Sequence, residues 1–181
     1  MAFLLDASGS VEENFELAQN LAKHIVSGLN FQASGTRVSV VIFSDEARIQ
    51  FTLDQYTRQD EVLNAIAFKN DMERTGTASG LAALHSQVFT PANGDRNGVA
   101  NYAIVVTDGR SNINQQMTSS EAATLRGVAD VFAVGVGHNG QVDRMEIFDI
   151  ATNPDSDYAH FMESVQDLDT IADSILDVIC R

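Results

Sequence analysis

Asp6, Ser8 and Ser10 set three hard oxygen donors at alternating positions in the run Asp6-Ala7-Ser8-Gly9-Ser10. One carboxylate and two hydroxyls at this spacing suit a small divalent cation better than nucleophilic chemistry. The apolar run before them, Ala2-Phe3-Leu4-Leu5, reads as a buried strand that delivers Asp6 to its carboxyl end. Gly9 lets the backbone turn between the serines. A second carboxylate arrives the same way. Asp108 follows Tyr-Ala-Ile-Val-Val-Thr at 102–107, an apolar run suited to a central parallel strand, and precedes Gly109. A hydroxyl-rich loop, Arg74-Thr75-Gly76-Thr77-Ala78-Ser79-Gly80, enters a helix and offers one threonine. Together these make five oxygen donors with two negative charges. That balances a dication and leaves one position of a six-oxygen shell open to an external carboxylate.

Asp6 and Asp108 converge only if the surrounding elements bring two strand ends to one edge. Phe15, Ala18, Leu21, Ala22, Ile25, Val26 and Leu29 recur at helical spacing and predict a helix over 12–30. Residues 37–43 read as a strand, and 47–51 as its antiparallel return after Ser44-Asp45-Glu46. Helices are expected at 59–68, 78–89, 119–128, 142–151 and 165–179, and strands at 102–107, 131–136 and 159–162. Such alternation predicts a doubly wound α/β fold: a mostly parallel central sheet, one antiparallel edge strand, and helices on both faces. In that architecture ligands bind beyond the carboxyl ends of the strands.

The 181 residues suffice for a single domain spanning 1–181. A strand beginning at residue 2 reads as a domain excised from a larger multidomain protein. No apolar run approaches the ~18–20 residues of a bilayer span, so membrane insertion is not expected. The net charge of −14 argues against nucleic acid and anionic membranes as partners. It admits divalent cations, basic proteins and calcium mineral. Cys180 is the only cysteine, which rules out an internal disulfide.

The segment Phe3-Leu4-Leu5-Asp6-Ala7-Ser8-Gly9-Ser10-Val11 resembles the opening of a von Willebrand factor type A domain, whose Asp-x-Ser-x-Ser motif begins a metal-ion-dependent adhesion site. Thr75-Gly-Thr-Ala-Ser-Gly-Leu81, Val106-Thr107-Asp108-Gly109-Arg110-Ser111 and Phe132-Ala-Val-Gly-Val-Gly137 match in the same order. The resemblance covers nearly the whole chain and implies a Rossmann-like fold. By it, Asp6, Ser8, Ser10, Thr75 and Asp108 are the metal ligands, with Thr75 preferred to Thr77 on its spacing to Leu81 and Phe89. The implied cation is Mg²⁺, with Mn²⁺ or Ca²⁺ as alternatives. Asp95-Arg96-Asn97-Gly98 and Ile150-Ala151-Thr152-Asn153-Pro154 look like the extracellular-matrix members, collagens and matrilins. The resemblance therefore implies a secreted adhesion module binding a matrix protein such as collagen through an acidic side chain. Family members commonly carry a terminal cysteine pair; Cys180 matches the second, and the first would precede residue 1.

Competing chemistries are weaker. Gly135-Val-Gly137-His-Asn-Gly140 satisfies a dinucleotide-binding pattern but lacks a following strand–helix–strand unit with a ribose-binding acid. A phosphoryl-accepting Asp6 would want a second aspartate where Ser8 stands. Ser8 or Ser10 as nucleophile would need a histidine base, and His24, His85, His138 and His160 are scattered. No enzyme activity is expected. Arg110 and Ser111 sit where a ligand would approach, whereas nothing places Asp45 in the metal shell. The alternative function is structural: matrix assembly or mineral association through the acidic surface.

Overall fold

Alternation of short β-branched runs with amphipathic stretches yields strands β1 (Ala2–Asp6), β2 (Ser39–Phe43), β3 (Ala47–Phe51), β4 (Tyr102–Thr107), β5 (Asp130–Val136) and β6 (Ala159–Met162). Between and after them lie helices α1 (Glu12–Gly28), α2 (Gln59–Ala65), α3 (Thr77–Ala83), α4 (Gln115–Arg126), α5 (Arg144–Ile150), α6 (Asp155–Tyr158) and α7 (Leu168–Ile179). The computed structural model describes residues 1–7, 12–32, 35–68, 76–111, 115–138 and 140–180, with backbone alone at 12–14 and 115.

The strands form one sheet in the order β3-β2-β1-β4-β5-β6. Every pairing is parallel except β2 with β3, so the antiparallel strand lies at the edge, as the Ser44-Asp45-Glu46 turn suggested. Alternate side chains along each strand feed two cores. Phe3, Leu5, Ile104, Val106, Phe132 and Val134 pack under α1, α2 and α7. Leu4, Val41, Phe43, Val105 and Val131 pack under α3, α4 and α5. Both faces are buried, and that is why the central strands read as unbroken apolar runs.

β1 and β4 are adjacent and parallel, with Leu5 in register with Val106. The chain leaves β1 for a helix on one face and β4 for a helix on the other. Their carboxyl ends therefore flank the crevice where the winding direction reverses, the usual ligand position in such sheets. Asp6 closes β1, and Asp108 follows β4 by one residue.

Three elements differ from expectation. The helix expected over 78–89 keeps α-geometry only to Ala83, then widens into a π-helical turn over Leu84–Val88. The wider turn keeps Leu81, Leu84 and Val88 all inward, at 0% exposure. α4 starts at Gln115 rather than 119, through a polar first turn with no apolar spacing to announce it. α6 is a single turn of four residues with no fully buried side chain, so periodicity could not reveal it.

Burial lowers the pKa of His160 on β6 below the ordinary 6.5, and the nearby Asp157 opposes this only in part. The folded state thus prefers the neutral ring, while the unfolded chain protonates at its ordinary value. His160 should therefore cost stability as pH falls below about 6.5, with the loss complete once pH passes below the folded-state pKa. Urea unfolding of the protein and of His160→Phe between pH 7.5 and 5 checks this. The variant should show the shallower decline; parallel slopes would refute the assignment.

Candidate metal centre

Asp6 is 2% exposed and Asp108 is 4% exposed. Two carboxylates this deep need compensation from hydrogen bonds or positive charge. The Thr107 hydroxyl donates to Asp6 Oδ2 at 2.6 Å, and Thr107 Oγ1 in turn accepts from Gly109 N–H at 3.1 Å. Thr107 thus fixes the Asp6 carboxylate from the neighbouring strand and shapes the turn that carries Asp108. Arg110 N–H donates to Asp108 Oδ1 at 2.9 Å, whereas no described residue bonds Oδ2. Among the described residues no basic side chain forms an ion pair with Asp108.

The turn after Asp108 is pressed onto the start of α5. Asp143 N–H donates to the Asp108 carbonyl at 2.9 Å, and the Asp143 side chain caps α5 by accepting from Met145 and Glu146 N–H. Gly109 has φ +72°, and a Cβ there would lie 2.7 Å from the Asp143 carbonyl. Only glycine fits both the conformation and the space. At the start of α3, a Cβ on Gly76 would meet the Ser44 carbonyl at 2.7 Å. That helix is therefore held directly against the β2–β3 turn.

Ser8, Ser10 and Thr75, the three predicted neutral ligands, lie outside the described residues. Thr77, the alternative to Thr75, is fully buried at the first position of α3, where Gly76 occupies the cap instead. Its hydroxyl lies 2.6 Å from the Ser111 hydroxyl, itself 2.5 Å from Glu146 Oε1. Thr77 is thereby committed to a buried chain of hydroxyls ending on a carboxyl group. Glu146 is 8% exposed, and its Oε2 has no hydrogen-bond partner among the described residues. Burial raises its pKa above the ordinary glutamate value, against the opposing pull of the Ser111 and Thr77 hydroxyls.

Three segments meet in this cluster: the start of α3, the loop after β4 and the first turn of α5. Thr107 and Glu146 carry no site signal in the sequence. Thr107 looked like the last residue of an apolar strand. Glu146, in the first turn of a helix, carries no signal beyond ordinary dipole complementarity. Ser111 was expected where a ligand approaches; it is buried and turned toward Glu146, while its neighbour Arg110 is exposed.

The other motifs find structural roles. Gly135 lies within β5, where a Cβ would sit 2.6 Å from Val142 Cγ1, so close packing accounts for it. His24 pairs with Asp169 at 3.2 Å and His85 with Glu121 at 2.7 Å. Each contact joins two helices, α1 to α7 and the α3 extension to α4. Asp45 is exposed on the β2–β3 turn. No group of three or more His, Cys, Asp or Glu forms a metal cluster among the described residues. Two carboxylates, one with an oxygen that no described residue engages, make a donor set that fits a hard, oxygen-seeking dication. No helix among the described residues is long and apolar enough to cross a membrane.

The family model for the von Willebrand factor type A domain matches residues 1–174. Matrilin-1 of Gallus gallus is 32% identical over 183 residues, covering 99% of this chain and 36% of that protein. The collagen alpha-6(VI) chain of Homo sapiens is 29% identical over 181 residues, covering 98% of this chain and 8% of that protein. The chain thus spans only a minor part of the length of these relatives. Among solved structures, proximal thread matrix protein 1 from the mussel byssus superposes with TM-score 0.87 at 24% identity, over 99% of this chain and 46% of that one. A form of that protein with a zinc-occupied MIDAS motif gives TM-score 0.85 at 25% identity, over 99% and 47%.

Proposed function

The chain belongs to the von Willebrand factor type A domain family, and from that premise we propose that it is an extracellular matrix-binding module whose metal centre receives an acidic side chain of a partner protein. The observation that carries this reading is the pair Asp6 and Asp108, both buried, at the carboxyl ends of adjacent parallel strands where the winding reverses. Matrilin and collagen VI relatives support the matrix setting and secretion. The zinc-occupied motif in one relative supports a metal at this place.

In this reading Asp6, Ser8, Ser10, Thr75 and Asp108 hold the cation, which is Mg²⁺, with Mn²⁺ or Ca²⁺ as substitutes. A bound dication supplies a Lewis-acidic position that a partner carboxylate can occupy. The protein's own residues do the positioning. Thr107 holds Asp6 through its hydroxyl, Arg110 N–H orients Asp108, and Asp143 N–H anchors the Asp108 backbone. No bond is made or broken, and the module is not an enzyme. The engagement of Thr77 with Ser111 supports Thr75 as the threonine ligand.

Collagen is the proposed partner, through a glutamate. Binding to immobilised fibrillar collagen should disappear in EDTA and return with Mg²⁺ or Mn²⁺. Binding that survives both EDTA and Asp108→Ala would overturn the metal-dependent reading. The net charge of −14 favours one second reading, matrix assembly or mineral association through the acidic surface. Salt-sensitive, EDTA-resistant binding to a basic protein or to calcium phosphate would mark that outcome.

A further inference from the structure

Beside Asp108 the surface falls into an open depression of about 640 Å³ lined by Arg110, Ser111, Val142, Asp143, Arg144 and Met145. In a chain of net charge −14, with 25 acidic residues against 11 basic ones, two exposed arginines share this rim. Neither forms an ion pair among the described residues. One Arg110 nitrogen donates to the Gly140 carbonyl at 2.7 Å, which holds that side chain along the rim.

Arg144 is placed differently. Its guanidinium stacks on the Phe161 ring at 3.5 Å from the centroid, with Phe148 at 5.8 Å. Stacking fixes the plane of the group and leaves its N–H edge for hydrogen bonding. No hydrogen bond from Arg144 to a described residue is present. Acids are close by but otherwise engaged or out of reach. Asp143 caps α5, and Glu163, which shares a small cleft with Arg144, makes no ion pair with it. Met145, 76% exposed, adds an apolar contact on the same rim.

A flat donor edge, held in place beforehand and without an acidic partner among the described residues, matches a carboxylate in bidentate geometry. We infer that the Arg110–Arg144 rim receives a second carboxylate of the partner protein, so that the module recognises a segment carrying two acidic side chains rather than one. This rests on the metal-centre reading above, in which the first carboxylate completes the cation's shell. The two arginines then act as specificity determinants. Pre-organisation by Phe161 reduces the ordering cost of the contact, and the surrounding acidity of the chain disfavours anionic segments that do not align with the rim.

The test uses blocked synthetic peptides and the Mg²⁺-loaded protein, with affinities from NMR titration. One peptide carries a single glutamate in a glycine background; a series adds a second glutamate one to four residues away. The best two-glutamate peptide should bind about tenfold more tightly than the single-glutamate peptide. In Arg144→Gln the ratio should fall to about one, and in Arg144→Lys, which keeps charge without the planar fork, it should be intermediate. Absence of a preference in the parent protein, or an unchanged ratio in Arg144→Gln, overturns the inference, as does failure of every peptide to bind. A preference that persists in EDTA yet vanishes in Arg144→Gln would instead overturn the metal reading and leave the arginine contact standing. Arg144-dependent binding of a sulfated polysaccharide with no response to the peptides would assign the rim to a different class of partner and refute the proposal.

Discussion

Asp108→Ala is expected to weaken the binding of divalent cations by roughly 30-fold while leaving the protein folded. Asp6 and Asp108 carry both negative charges of the proposed ligand set; the three hydroxyls are neutral. A dication and a carboxylate about 4 Å apart attract by roughly 8 kcal/mol at an effective dielectric near 20. If desolvation cancels three quarters of that, about 2 kcal/mol remains, or roughly 30-fold in affinity. Saturating the parent protein with Mg²⁺ at about 100 times its Kd should stabilise it by about 2.7 kcal/mol. For a domain of this size that is on the order of 5–10 °C in Tm.

At the same Mg²⁺ concentration the variant should gain only about 0.9 kcal/mol, roughly a third of the parent's shift. In EDTA it should melt at or above the parent's temperature, because a buried carboxylate with an oxygen that no described residue engages has been removed. Calorimetric titration with Mg²⁺ and thermal melts in both conditions check the two halves independently. A variant that binds Mg²⁺ with the parent's affinity would remove Asp108 from the site.

Phe132→Ala is expected to produce the largest loss of stability. Phe132 is 0% exposed at the middle of β5. Its ring lies 4.7 Å from Tyr158, 6.4 Å from Tyr102 and 6.5 Å from His160, and so joins β4, α6 and β6. Truncation removes the ring's transfer free energy and leaves a cavity that a sheet buried on both faces closes poorly. The cost should be about 3–5 kcal/mol, a large share of the roughly 5–15 kcal/mol available to a domain. A chemical denaturation midpoint within experimental error of the parent's would contradict this. Phe132→Leu, which refills most of the volume, should recover more than half of the loss.

Much of the fold was legible because burial on both faces leaves a plain signature. Residues 102–107 are apolar without alternation, and they form the central strand β4 over those same residues. α1 and α7 showed their buried stripes at helical spacing, since each lays one side against the sheet. Elements that bury little were the obscure ones. The first turn of α4 and the four residues of α6 put few side chains into either core, so no periodic pattern existed to be read. The π-helical turn at Leu84–Val88 is likewise a response to packing, invisible in a string that suits an ordinary helix.

The residues alone carried the resemblance to the family, through four motifs in the same order, while the alternating architecture and the placing of Asp6 and Asp108 at two strand ends follow from local composition and order. Tertiary structure alone decided that those strands are neighbours flanking the winding reversal, for the order β3-β2-β1-β4-β5-β6 is a property of long-range pairing. It also decided the supporting contacts. The Thr107 hydroxyl reaches Asp6, 101 positions away, and Ser111 reaches Glu146, 35 positions away. Arg144 finds Phe161 across the top of the sheet. Contacts between segments remote in the chain carry no spacing of their own, and they exist only once the cores on both faces have set the strand ends side by side.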